Sequence, residues 1–155
     1  MAVTDTPALT DHRLEAIPHE VVRHGPMSSL QEAAAARGVT PSQVIKTMVV
    51  RRGVDDYVFV LVPGDRVIAW PKLRSHLGVN RLSMPDADEA QQATGYRRGT
   101  ITPLGATTAW PVVADERVTG SVSIGGGDHG VSLTVSGADL LEALDADIAD
   151  VTDPV

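Results

Sequence analysis

The chain contains no cysteine among its 155 residues. Disulfides, a thiol nucleophile and every thiolate metal site are thereby excluded. Aromatic residues make up only 3%, so the core has to rest on Val, Ile, Leu and Ala, and a platform for stacking nucleic-acid bases is poorly supplied. Positive charge is short as well: 13 Lys and Arg against 20 Asp and Glu leave a net charge of −7. A protein that grips nucleic acid unaided is normally basic overall, because phosphate neutralisation dominates that affinity. No apolar run approaches the roughly 20 residues of a membrane span, and the opening "MAVTDTPALTDHR" lacks the basic-then-apolar layout of a secretion signal. A soluble cytoplasmic protein is the expectation.

What is present fits one domain. Apolar residues reach 43%, and a chain of this length buries roughly 68–70% of its unfolded surface. With no repeat, low-complexity tract or linker, the reading is a domain over 9–152, a flexible N-terminus over 1–8 and a loose tail over 152–155. Charge is uneven along it: residues 46–104 hold nine basic and six acidic residues, residues 105–155 one basic and nine acidic. The basic zone of Arg51, Arg52, Lys72, Arg74, Arg81, Arg97 and Arg98 is either a contact patch or an ordinary solvated surface.

"SLQEAAAARGV" predicts a helix, with Ser29 and Glu32 as a capping box and Gly38 as its stop. Thr40 and Pro41 start a further turn that feeds into "VIKTMVV". "PHEVVRH" and "YVFVLVPG" predict strands, as do 110–114, 120–125 and 130–135. "WPKLRSHLG", "DADEAQQATG" (preceded by Ser83) and "SGADLLEAL" predict short helices. Short strands and helices without regular βαβ alternation argue for an α+β domain around a mixed or largely antiparallel sheet.

Lys46, one of only two lysines, sits inside the most apolar of these strands. It either snorkels to an edge or points into a cavity where an anion meets it, since burial disfavours a lone ammonium. Further along, "GTITP" places Gly99 four residues before Pro103. Glycine admits close approach of backbone to a ligand, and proline holds Thr102 extended, so such a loop can aim main-chain N–H groups at one point. It serves equally as a plain connection. The three glycines of "SIGGGDHG" exceed what a hairpin needs, yet lack the spacing of a nucleotide-binding loop. The histidines (His12, His19, His24, His76, His129) show no i,i+4 metal spacing, and no G-x-S-x-G elbow is present.

In this order, "VIKTMVV", "TGYRRGTITPLG" and "SIGGGDHGVSLTVSGADLL" resemble the YbaK-type aminoacyl-tRNA deacylases, relatives of the editing domain of bacterial prolyl-tRNA synthetases. The resemblance covers roughly residues 10 to 152. It implies a single α+β domain with a mixed, mostly antiparallel, barrel-like sheet flanked by short helices. It also implies an enzyme without cofactor or metal that hydrolyses mischarged aminoacyl-tRNA, Cys-tRNA(Pro) or Ala-tRNA(Pro), at the 3′ end with help from the substrate's own ribose hydroxyl. Lys46 would be the critical lysine and Gly99 the start of the catalytic loop. Thr100, Ile101 and Pro103 of that loop, with Thr47, Gly125, Gly126, Gly127 and His24, would bind substrate. Prolyl-tRNA synthetase is the implied partner, and the chain would be a monomer or weak dimer. Asp128 and His129 stand where relatives carry a basic residue, and Arg97 and Arg98 where they are apolar. The alternative is a binding module of the same fold that recognises a small amino-acid-like ligand or a synthetase without catalysis.

Overall fold

The computed structural model describes residues 6–24 and 29–155. Two long strands form its centre. β2 (Val44–Gly53) and β3 (Asp56–Pro63) pair antiparallel, with Ile45 opposite Pro63 and Val50 opposite Val58. Both faces are apolar because both are covered. Ile45, Val49, Phe59 and Leu61 enter a large core on one side; Val50, Val58, Val60 and Val62 enter a smaller one with Leu73 and Val151 on the other.

Around this hairpin lie β1 (His19–Arg23), β5 (Val112–Asp115), β6 (Ser121–Gly125), β7 (Val131–Ser136) and β8 (Asp147–Ala149), in the order β1-β7-β6-β2-β3-β5-β8. The sheet is mixed and, by paired residues, mostly antiparallel, as expected. β1–β7, β6–β7 and β2–β3 run antiparallel, while β2–β6, β3–β5 and β5–β8 run parallel. Long connections carrying α3 (Trp70–Leu77), α4 (Ala87–Thr94) and α5 (Gly137–Ala143) return the chain in the same direction, which only crossovers can do.

Local chemistry sets the helix ends. Ser29 accepts the Glu32 N–H at 3.1 Å to open α2 (Leu30–Arg37), and Gly38 closes it at φ 73°. Asp86, not Ser83, caps α4, accepting the Glu89 N–H at 2.8 Å. Ser83 instead exchanges backbone hydrogen bonds with Arg51 on β2.

The described parts of both ends are packed rather than loose. Thr6 donates its hydroxyl to the Gly126 carbonyl, and Ala8 is fully buried. A short helix α1 (His12–Glu15) follows. At the other end β9 (Thr152–Pro154) pairs with β4 (Arg66–Ile68), and Thr152 is fully buried.

Candidate active site

β2 and β6 are paired only at Val44–Ser123 and Ile45–Ile124. β6 then ends at Gly125 while β2 continues, so the edge of β2 stays open from Lys46 until Ser83 covers it at Arg51. Strand alternation counted back from Arg51 turns the N–H and C=O of Val49 and Thr47 toward this opening. A cavity of about 700 Å³ fills the gap, lined by Lys46, Thr47, Val49, Gly99, Ile101 and Gly125 among others.

Lys46 is half-buried, and its Nζ donates to the Arg66 carbonyl at 2.7 Å. Burial pushes the ammonium pKa down, and Asp65 opposes that shift. Thr47 also lines the cavity, with its buried Oγ1 lacking a hydrogen-bond partner among the described residues.

The Gly99 loop reaches the cavity from the opposite side. Gly99 has φ 86°, a left-handed backbone that favours glycine, and a Cβ there would stand 3.3 Å from His129 Cε1. Thr100 is buried and turns inward, its N–H and hydroxyl both donating to the Arg97 carbonyl at 3.0 and 2.8 Å. That leaves the N–H groups of Gly99 and Ile101 without a partner among the described residues.

Beyond the loop the chain is clamped. The Pro103 carbonyl accepts from Arg13 Nη2 at 3.1 Å, the Leu104 carbonyl from the Tyr96 hydroxyl at 2.6 Å, and the Gly105 N–H donates to Asp11 at 2.7 Å. Burial alone would raise the Asp11 pKa, but hydrogen bonds from Arg13 and the Gly105 N–H outweigh it and hold the carboxyl at about 2. Tyr96 is pushed up to about 12 by burial and by the Asp11 charge.

A second cavity of about 530 Å³ adjoins the first, lined by His24, Thr100, Asp128 and His129. The two share Arg37, Gly99, Ile101 and Gly125 as a common wall. Of the residues singled out in the sequence, Lys46, Thr47, Gly99, Ile101 and Gly125 therefore meet in one cavity, and His24 and Thr100 lie in its neighbour. Pro103, Gly126 and Gly127 line neither. Pro103 is buried beneath the clamp, a Cβ on Gly126 would fall 2.6 Å from Val131 Cγ1, and Gly127, at φ 91°, packs against Tyr96 and Thr6.

Arg37 escaped the sequence reading. Its signal was a lone cation ending an alanine run, with Ala33 and Ala34 where a helical ion-pair partner would stand. The basic zone, by contrast, is partly neutralised within the protein, with four of its seven cations in ion pairs. Arg51 pairs with Glu89 at 3.3 Å, Arg52 with Asp56 at 2.9 Å, Lys72 with Asp150 and Asp153 at 3.2 Å, and Arg97 with Asp128 at 3.5 Å. Arg98 is exposed at the rim of the first cavity. Among the described residues no group of three or more His, Asp or Glu side chains is placed to hold a metal ion.

A family model described as the aminoacyl-tRNA editing domain matches residues 24–143. The chain belongs to that family, and the class of protein it defines is an aminoacyl-tRNA deacylase. It is 32% identical over 96 residues to the proline–tRNA ligase of Kosmotoga olearia and 35% identical over 98 residues to that of a Geobacter species. These alignments cover 62% and 63% of the chain but only 16% and 17% of the ligases. Among solved structures, hypothetical protein APE2540 superposes with a TM-score of 0.80 at 26% identity, covering 91% of this chain and 95% of that one. A protein described as a proposed trans-editing enzyme for prolyl tRNA synthetase superposes at 0.83, with 23% identity and coverage of 97% and 99%.

Proposed function

We propose that the protein acts in trans to remove a misattached amino acid from the 3′-terminal ribose of a tRNA, with Cys-tRNA(Pro) or Ala-tRNA(Pro) as substrate. The observation that carries this reading is the meeting of Lys46 with the Gly99 loop in a single cavity. An aminoacyl ester is already activated, so its hydrolysis needs positioning and oxyanion stabilisation more than a strong nucleophile.

In the proposed reaction a water oxygen bonds to the ester carbonyl carbon, assisted by the neighbouring ribose hydroxyl of the substrate. The bond to the esterified ribose oxygen breaks, and that oxygen leaves with the proton. The free N–H groups of Gly99 and Ile101 stabilise the oxyanion, each such donor being worth about 10²–10³ in rate. Lys46 anchors the terminal nucleotide, exchanging its bond to the Arg66 carbonyl for one to the substrate. Pocket shape sets which amino acid is removed, and one methylene contributes only ~1–3 kcal/mol of discrimination.

Acting in trans fits the charge inventory. With a net charge of −7 and six of its cations paired internally among the described residues, a partner such as prolyl-tRNA synthetase would hold the body of the tRNA while this domain takes the 3′ end, in the cytoplasm. The alternative of a binding module without catalysis rests on the Asp128 and His129 departures, and Arg97 balances the first of them. Deacylation assays across a panel of mischarged tRNAs test the reading. Turnover of a misacylated tRNA(Pro) is expected, and no release of amino acid from any charged tRNA would overturn it.

A further inference from the structure

Arg37 is half-buried in the wall common to both cavities. Among the described residues its buried Nε has no hydrogen-bond partner, and Nη1 makes only a 3.3 Å contact to Ser123 Oγ. Among the described residues no carboxylate lies within ion-pair distance of it, whereas the half-buried Arg13 and Arg52 each have one. The negative end of the α2 dipole offsets part of this cost but fills none of the donors. Arginine stays protonated, so burial here leaves a charged fork facing a cavity.

The ligand's chemistry narrows what that fork meets. In an aminoacyl-tRNA end the amino acid's carboxyl is esterified and its amine is cationic. The anionic groups are then the phosphodiesters alone. The cavity that would hold the terminal nucleotide is lined by three cations, Arg37, Lys46 and Arg98, against one carboxylate, Asp86, which is engaged as the cap of α4. Resting on the deacylase reading, we infer that Arg37 binds the phosphodiester between the terminal and the preceding nucleotide of the tRNA, where the strand passes from the first cavity into the second. Its planar donors suit two phosphate oxygens at once, which an ammonium cannot match. Arg37 is thus a substrate-binding residue that acts on affinity and on register of the ester against the Gly99 loop.

Binding of adenosine and of adenosine 5′-monophosphate to the intact protein, followed by isothermal titration, tests this together with deacylation kinetics. The wild type should bind the monophosphate about tenfold or more tightly over adenosine, the scale of one charge-assisted contact. Arg37→Met should abolish that preference and leave adenosine binding unchanged, and Arg37→Lys should restore part of it. For charged tRNA, Arg37→Met should raise KM about tenfold or more with kcat within about threefold. A phosphate preference that survives in Arg37→Met, or equal loss of both ligands in the Met and Lys variants, overturns the inference. An Arg37-dependent preference in a protein that deacylates no tRNA would keep the phosphate site and sink the deacylase reading. Deacylation with an unaltered KM in Arg37→Met would do the reverse.

Discussion

Arg97 Nη2 stands 3.5 Å from Asp128 Oδ1. The pair joins the loop that begins at Gly99 to the glycine-rich hairpin, and both side chains are exposed. Such a contact contributes little to stability, ~0–1 kcal/mol. It does cancel two unusual charges against each other. Asp128, which lines the second cavity, stands where the family resemblance implies a cation, and Arg97, outside that lining, where it implies an apolar residue.

Lys46→Ala should lower the deacylation rate by at least about 10²-fold, the scale of one lost transition-state contact. The melting temperature should hold within a few degrees, because the ammonium gives up a single carbonyl contact. Rapid hydrolysis by the variant would remove Lys46 from the site. As pH rises, activity should fall before an ordinary lysine would deprotonate, since burial lowers the Lys46 pKa. Asp65→Asn should move that fall to still lower pH.

Gly99→Ala tests the loop. A side chain at φ 86° costs about 1–2 kcal/mol and would press on His129. Deacylation should drop about tenfold or more through displaced N–H donors. Pairing the change with His129→Ala removes the contact but not the backbone strain, so only partial recovery is expected.

Acid stability should report on Asp11. Its pKa falls from 3.8 to about 2 on folding. The resulting stability, on the order of 2 kcal/mol, is fully present above pH 4 or so and is lost as pH falls through about 2. Asp11→Asn should remove this acid-sensitive component and loosen the Gly105 end of the loop. Chemical denaturation at neutral and acidic pH measures it, and an unchanged pH profile in the variant would contradict the clamp.

Tyr96→Phe deletes the hydroxyl that donates to the Leu104 carbonyl at 2.6 Å. Leaving that buried carbonyl without its donor should cost ~1–3 kcal/mol. Because Tyr96 also packs on Gly127, a shift of the ring released from Leu104 should be felt in the glycine-rich hairpin. Amide exchange at residues 104 to 106 and 127 to 130 should accelerate together.

Binding of whole tRNA by the isolated protein should be weak, with a shallow salt dependence. Arg51, Arg52, Lys72 and Arg97 are paired internally, which leaves few cations to release counterions. Tight binding would contradict the assignment of the tRNA body to a partner.

Much of this architecture was legible in residues 29 to 144, where signals are local. Ser29, Gly38 and Gly78 mark helix ends because capping chemistry acts within a few residues. The strand around Lys46 was equally plain. The parting of β2 from β6 after Ile45 was not, since it depends on partners about eighty residues away. Nor were β8 and β9, whose three residues carry no periodicity. In the glycine-rich hairpin, sequence could not separate Gly125, which lines both cavities, from Gly126 and Gly127, which serve packing. Arg37 was invisible for a related reason: a surface-looking helix end becomes a cavity wall only once β6 and Ser123 lie beneath it.

β9 reaches farther into the chemistry than its length suggests. Arg66 is held by Thr152 through Nε and Nη2, at 2.7 and 3.2 Å, and the same Arg66 offers its carbonyl to Lys46. Removing Thr152 and the residues after it would therefore reset the resting position of the Lys46 ammonium, about a hundred residues away in sequence. Turnover by the shortened chain, measured beside that of the intact one, should differ if Lys46 acts as proposed.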